Sequence, residues 1–420
     1  MTHPTLRRTL LASAVLLAAL PGLSHARCES LTNVKPGEVN IVGNSFPVIQ
    51  HIAKEMQSCT QGGLKVQFKM TPDIEQEAIQ AFGSSGKSAF DAAVISNGQF
   101  ASLNSKGQLQ PMTDLVAKYK AKYKIEDSML IKVNGEVMAI AFQLNAQNLY
   151  YRKDVFDKLG LKAPTSYADM LADAKVIKEK DRSIEFPIAQ TFSKGWDSAT
   201  EFTNIFAGYG GRFFKPGSAA PDFNSEAGVK ALETMKAMTP YMTPNYLASN
   251  TDDVMNQFQQ GKAAMGVLWA TRAARMDDPA ASKVVGKMAF VAAPVAMAGG
   301  KSATHLWWDG VVMPKNMGGD RDTVFQVLME ALDEESTKSG NDLTIWVRSS
   351  YKPTRFGTGV AASAKAGAPA WPSEPYFSLA HGEIGKVIPD VMTGALAPKL
   401  ALDNAAAAYA KAAAEKGFIK

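Results

Sequence analysis

The side chains best placed to do chemistry in this chain are tryptophans at element ends and a run of amides. Trp196, Trp269, Trp307 and Trp308 each fall beside a predicted strand end or loop, not in the middle of a helix. Between the apolar runs 137–142 and 149–151 stand Gln143, Asn145, Gln147 and Asn148. So many amides are costly in a closed core, where each needs several partners. They suit a chain that crosses an open cleft and offers hydrogen bonds to a polar ligand. A pyranose ring presents an apolar C–H face and a rim of hydroxyls. Indoles match the first, amides and carboxylates the second, so the combination points to a polyhydroxylated solute. Each tryptophan alone is more often core, because it buries a large area. Trp307 and Trp308 are adjacent in an extended segment and must point opposite ways, so at most one faces a cleft. Asp309 could accept two sugar hydroxyls, or brace a hinge. Trp196 and Tyr209 are balanced between ligand and core, and Trp346 and Trp371 are weaker candidates. Arg272 and Arg275 follow Trp269; solvated surface charge is preferred to an anion clamp for both.

The sequence carries no catalytic constellation. Beyond residue 26 the histidines are His51, His305 and His381, and no HExxH, GxSxG or P-loop pattern occurs. No His, Cys, Asp or Glu cluster has metal-ligand spacing. The expectation is a binding protein without metal or cofactor, not an enzyme. A competing reading is an exported glycan hydrolase, which needs two carboxylates converging across a cleft. Asp309 and Asp197 are conceivable partners, but nothing in the sequence pairs them.

The elements that must position these side chains alternate between strand and helix, which argues for an α/β fold. Residues 39–43, 64–70 and 90–95 read as strands, with helices at 48–57, 73–82 and 99–105. Pro47 opens the first helix in its favoured position. This β-α-β-α-β order implies parallel strands joined by right-handed crossovers. Ligands on such sheets sit beyond the carboxyl ends of the strands, which brings Asn44, Ser45, Phe46, Asp73, Ser96, Asn97 and Gln99 to one edge. Asn134-Gly135 reads as a hairpin turn. Further helices are expected at 167–180, 198–209, 226–238, 252–261, 320–332, 384–393 and 400–416, with strands at 262–269 and 311–314.

Residues 5–26 combine a short basic region, an apolar run over 9–20, a Pro-Gly break and a small-residue site ending at Ala26. This is the pattern of a cleaved secretory leader, and the run is too short to span a bilayer comfortably. Arg27 precedes Cys28 where a lipid-attachment site would need a small residue, so a soluble exported protein is expected. In an oxidising compartment Cys28 and Cys59 are expected to form a disulfide. Loss of residues 1–26 removes Arg7 and Arg8 and lowers the net charge from +5 to +3. That charge is spread out, and no basic run suggests nucleic acid.

The string LYYRKDVFDKLGLKAPTSYADML, residues 149–171, resembles the signature of periplasmic solute-binding proteins of ABC importers, bacterial family 1, the maltose-binding type. DAAVISNGQFASLNSKGQLQPMTDL, residues 91–115, is similar to that family's third strand and following helix, and GKAAM at 261–265 with a strand ending in Trp269 matches another of its segments. The resemblance covers essentially the whole chain beyond the leader. It implies a type II fold with two lobes, each a mixed, mostly parallel sheet flanked by helices, and three hinge crossovers. It implies an N-terminal lobe of residues 27–142 plus 308–342 and a C-terminal lobe of 143–307 plus 343–420, with the third crossing near 339–343. It favours Trp269 and Trp308 as ligand contacts, with Gln143 and Asn145 at the first crossover. At 348–355 this chain carries Arg348, Tyr351 and Arg355 where the family has small residues, so no role is carried over there. The implied function is capture of a mono- or oligosaccharide, or a polyol, by a periplasmic monomer that delivers it to an inner-membrane permease. A sensor that presents its ligand to a chemoreceptor would look the same in sequence.

Overall fold

Apolar runs of four to seven residues punctuated by glycine and polar turns leave the chain little choice but short strands covered by amphipathic helices. The computed structural model describes Cys28 and residues 30–419; the expected leader lies outside the described residues. The strands are β1 (Gly37–Gly43), β2 (Leu64–Met70), β3 (Ala92–Ser96), β4 (Leu130–Val133), β5 (Glu136–Asn145), β6 (Gln147–Arg152), β7 (Phe186–Ile188), β8 (Ala263–Trp269), β9 (Met288–Val291), β10 (Trp307–Val312) and β11 (Ile345–Trp346). They form two sheets. The larger runs β11-β5-β10-β3-β1-β2, with β4 added beside β5; the smaller runs β7-β8-β6-β9.

Each sheet has apolar clusters of its own. Along β1 the side chains alternate: Val39 and Ile41 join one cluster with Ile52 and Phe325, while Val42 joins another with Ile74 and Phe82. The smaller sheet is likewise covered, by a cluster around Phe156, Phe202 and Leu402 and by one around Tyr150 and Phe258. The result is two α/β lobes.

Both sheets are mixed, but the expected mostly parallel character is confined to part of them. β1 pairs in parallel with β2 and β3, and β7 with β8. β10 is antiparallel to β3 and β5, β11 and β4 to β5, and β6 to β8 and β9. The reason is connectivity. The βαβ units, with helices Pro47–Gln57 and Ile74–Phe82 as crossovers, give parallel pairs. Strands that enter a sheet on their way to or from the other lobe run against their neighbours.

The chain passes between the sheets at Ala146, between β5 and β6, and again where Leu306 leads into β10. The third passage comes later than expected. Ile345 and Trp346 still pair with β5 opposite Leu144 and Gln143, and helix Thr358–Lys365 packs on the smaller sheet. The crossing therefore lies within residues 347–357. Helix Thr113–Tyr123, which was not assigned from sequence, packs on the larger lobe through Leu115, Val116 and Tyr119. Cys28 and Cys59 are disulfide-bonded, Cα atoms 5.2 Å apart, tying the start of the described chain to the end of helix Pro47–Gln57. Among the described residues, no helix is long and apolar enough to cross a membrane.

Candidate ligand-binding cleft

The cleft is built where strands of both sheets end. An inner chamber of about 210 Å³ is lined by Asn44, Phe46, Ser96, Gln99, Asn145 and Asp309 from the larger-sheet side and by Trp196, Trp269 and Arg272 from the other, with Trp307 where they meet. It opens into an outer chamber of about 620 Å³, which shares Asn44, Ser96, Gln99, Trp196 and Trp307 and adds Asp73, Trp371 and His381.

Strand alternation decides which indole of the Trp307-Trp308 pair faces the cleft. In β10, Trp307 lies opposite Asn145 and Asp309 opposite Gln143 and Ser96. Trp307 and Asp309 share a face. Trp308 points the other way and packs on Phe100, ring centroids 5.4 Å apart, in the cluster with Val42 and Ile74. The expectation for Trp308 is therefore corrected: Trp307 faces the cleft and Trp308 is structural.

Three further tryptophans gather around Trp307. Trp269, the last residue of β8, meets it edge to face at 5.5 Å, and Trp196 lies at 6.1 Å and stacks on Trp269 at 6.2 Å. Trp371 lies at 4.1 Å. Trp196 opens the helix Trp196–Gly208, and Gly195 before it has φ +95°, which a residue with a Cβ rarely adopts. That placement leaves Trp196 51% exposed at the cleft mouth. Trp371, a weaker candidate in the sequence, comes from a proline-flanked loop. It approaches the opposite lobe so closely that a Cβ on Gly98 would sit 3.2 Å from its indole nitrogen.

The polar wall is pre-set by short-range hydrogen bonds. Ser96 caps the helix Asn97–Ser105: its hydroxyl accepts from the Gln99 backbone N–H, and Gln99 Oε1 accepts from the Ser96 N–H at 2.9 Å. Asn44 Oδ1 accepts from the Ser45 N–H at 2.6 Å and Asn145 Oδ1 from the Ala146 N–H at 3.0 Å. Asp309 accepts from Gln143 Nε2, and Gln143 Oε1 accepts from the Thr344 hydroxyl at 2.6 Å. Gln143 is buried and thus links all three passages instead of lining the chamber. Burial pushes the Asp309 carboxyl up to about 6, partly offset by the Gln143 donor. Asp309 both braces the hinge and lines the chamber.

The other expected residues divide. Ser45 is exposed and lines neither chamber, its carbonyl accepting from Gln50. Asn97 also lines neither and donates to the Leu306 carbonyl at 3.5 Å. Arg272 is corrected: its side chain is only 14% exposed, its Nη1 donates to Thr271 at 3.2 Å, and its guanidinium lies 5.5 Å from the Phe46 ring across the cleft. Arg348 is buried and donates to the Leu332 and Tyr123 carbonyls, and Arg355 pairs with Asp277. Trp346 packs in the larger lobe against His51, and Tyr209 bonds Thr234 at 2.8 Å.

Behind the indoles the sequence reading missed a buried polar network. Glu201 accepts from Gln147, Gln190 and Thr191, and Asn204 donates to Gln147 and accepts from His305 Nδ1 at 2.7 Å. Burial pushes Glu201 up to about 8 against its three donors, and pushes His305 and His381 down to about 3. The clustering of these groups is tertiary, and the amides at 143–148 were its one sequence signal.

A model of the bacterial extracellular solute-binding protein family matches residues 48–316. A mannitol-binding protein of Pseudomonas aeruginosa is 25% identical over 233 residues, 54% of this chain; the match spans half the length of that relative. Among solved structures, an ABC transporter solute-binding protein of Agrobacterium radiobacter K84 in complex with ribitol has a TM-score of 0.77 at 22% identity, covering 90% of this chain and all of that one. One from Agrobacterium vitis S4 with bound D-mannitol has a TM-score of 0.76 at 18% identity, covering 91% and 100%. At these identities the likeness is one of fold.

Proposed function

The chain belongs to the bacterial extracellular solute-binding protein family, and from that premise we propose that it captures a carbohydrate or polyol for an ABC import system. The observation that carries this reading is the inner chamber itself. Indoles of Trp196, Trp269 and Trp307 face amides of Asn44, Gln99 and Asn145 and the carboxylate of Asp309 across about 210 Å³. That volume is below the range of pockets for drug-sized ligands, and it suits one sugar ring or a six-carbon polyol, with the outer chamber available to a longer saccharide. The relatives named for mannitol and seen with ribitol and mannitol support the same class.

In this reading the lobes consist of residues 28–145 with 307–352 and residues 146–306 with 353–419. They close over the solute about the three passages, a hinge motion that buries it. The closed monomer then delivers the solute to a permease in the inner membrane, having been exported to the periplasm by a leader over residues 1–26. Asn44, Phe46, Ser96, Gln99, Asn145, Trp196, Trp269, Arg272, Trp307 and Asp309 contact the ligand. Isothermal titration of a panel of hexoses, pentoses, polyols and short maltosaccharides tests this. Saturable heat from a member of the panel is expected. Silence across it, with heat from amino acids, polyamines or phosphate esters, overturns it.

A further inference from the structure

The orientation of the chamber's amides carries information about the solute beyond its class. A backbone N–H can only donate, so the amide atom facing it must be oxygen. Asn44 Oδ1 faces the Ser45 N–H, Gln99 Oε1 the Ser96 N–H and Asn145 Oδ1 the Ala146 N–H. All three side chains thereby have their oxygens engaged, and their NH₂ groups have no partner among the described residues. The indole N–H of Trp307 is buried and likewise has none among them. To these donors is added Arg272. Its guanidinium has five N–H bonds, of which the described residues engage one, through Thr271. The nearest carboxylate, Asp252, stands 4.0 Å away with its side chain 80% exposed, beyond hydrogen-bond reach and screened by solvent. A cation this enclosed is ordinarily paired.

Acceptors are scarce by comparison. Among the described residues lining the inner chamber, Asp309 is the one carboxylate, and one of its oxygens is engaged by Gln143. The hydroxyls of Ser96, Thr251 and Thr271 bring a proton with their lone pairs. A neutral polyol brings a donor with every acceptor, so a donor-rich wall leaves some of its hydroxyl protons unmatched. A carboxylate brings acceptors alone and fits the fork of an arginine with two parallel bonds.

We infer that the solute is a sugar acid, an aldonate or uronate whose carboxylate pairs with Arg272 while hydroxyls at its far end reach Asp309. This rests on the carbohydrate reading above and narrows it. The chamber thus has a cationic end on one lobe and an anionic end on the other, and it fixes the ligand's direction as well as its class.

The test is titration of the full exported chain with matched pairs: D-glucitol against D-gluconate, D-mannitol against D-mannonate, D-glucose against D-glucuronate. The acid member of at least one pair is expected to bind tenfold or more tightly than its neutral partner. Arg272→Gln is expected to bring that ratio close to one and Arg272→Lys to retain part of it, with the melting temperature of each unliganded variant reporting that it folds. Equal or tighter binding of the neutral member in every pair that binds overturns the inference and leaves the carbohydrate reading standing. A preference for the acid that survives in a folded Arg272→Gln protein also overturns it. No binding by either member of any pair, with heat from a non-carbohydrate solute, overturns both.

Discussion

The two walls of the cleft are made of different materials and held in different ways. On the larger-sheet side Asn44, Ser96, Gln99, Asn145 and Asp309 are small and polar, and most are fixed by a hydrogen bond to backbone one to three residues away. On the other side Trp196, Trp269 and Trp371 are large and apolar and meet Trp307 at the seam, the indoles held by one another and by the core beneath. The difference teaches a division of labour. In the proposed binding mode the indole wall supplies contact area, from which affinity comes with little demand on direction. The polar wall supplies directed bonds, which discriminate among solutes of similar area.

Substitutions separate the two contributions, and the indole wall is expected to show the largest effect. Trp307→Ala should weaken ligand binding by about 2–4 kcal/mol, roughly 30-fold or more in Kd, as removal of a buried aromatic anchor does. Titration calorimetry checks it. A loss below about threefold would mean that area is supplied elsewhere and the contrast fails. On the polar wall, Asp309→Asn should cost about 1.5–3 kcal/mol, the range for a hydrogen bond to a charged group. It should also change the pH profile. With Asp309 held at about 6, wild-type affinity should fall as pH drops below that value, by about tenfold per unit. The Asn variant should stay flat there.

A third experiment concerns what lies under the indoles. Glu201 is pushed up to about 8, well above its unfolded value, so the folded chain holds a proton that the unfolded chain has released. Its contribution to stability is complete below the unfolded value and is lost as pH rises through about 8. His305 and His381, held down at about 3, act in the opposite sense but only below their unfolded value near 6.5. Between pH 6.5 and 8, wild-type stability should therefore fall by about 1–2 kcal/mol from Glu201 alone. Glu201→Gln should remove that slope in denaturant titrations. The smallest effect is expected at Trp308, which faces neither wall. Trp308→Phe should cost less than about 1.5 kcal/mol of stability and leave Kd unchanged; a shifted Kd would put it back at the site.

Much of the polar wall was legible because it follows from local rules. Strand ends and period-two alternation place Asn44, Ser96, Gln99 and one of the two adjacent indoles without knowledge of the fold. Alternation could not say which of Trp307 and Trp308 faces the cleft, since that depends on which face of β10 the other lobe covers. Arg272 read as surface because burial of a cation is decided by distant residues, here Phe46 across the gap. Trp371 sits in a loop without periodicity, and β11 is two residues long, too short to carry a pattern. The third passage was accordingly placed too early.

The pairing of Ser96 with Asp309 has a consequence for how the chain reaches its final form. The strands of the smaller sheet all lie within residues 147–291, whereas the larger sheet cannot be completed until β10 and β11 return past that whole stretch to pair with β3 and β5. Long-range pairings of this kind form slowly, because loop closure must precede any gain from contact. Of these two returning strands, β10 carries Asp309, the carboxylate proposed to meet the solute. On the proposed binding mode, occupancy by solute then doubles as a maturity check, since the site is incomplete until the pairing of β10 with β3 has formed.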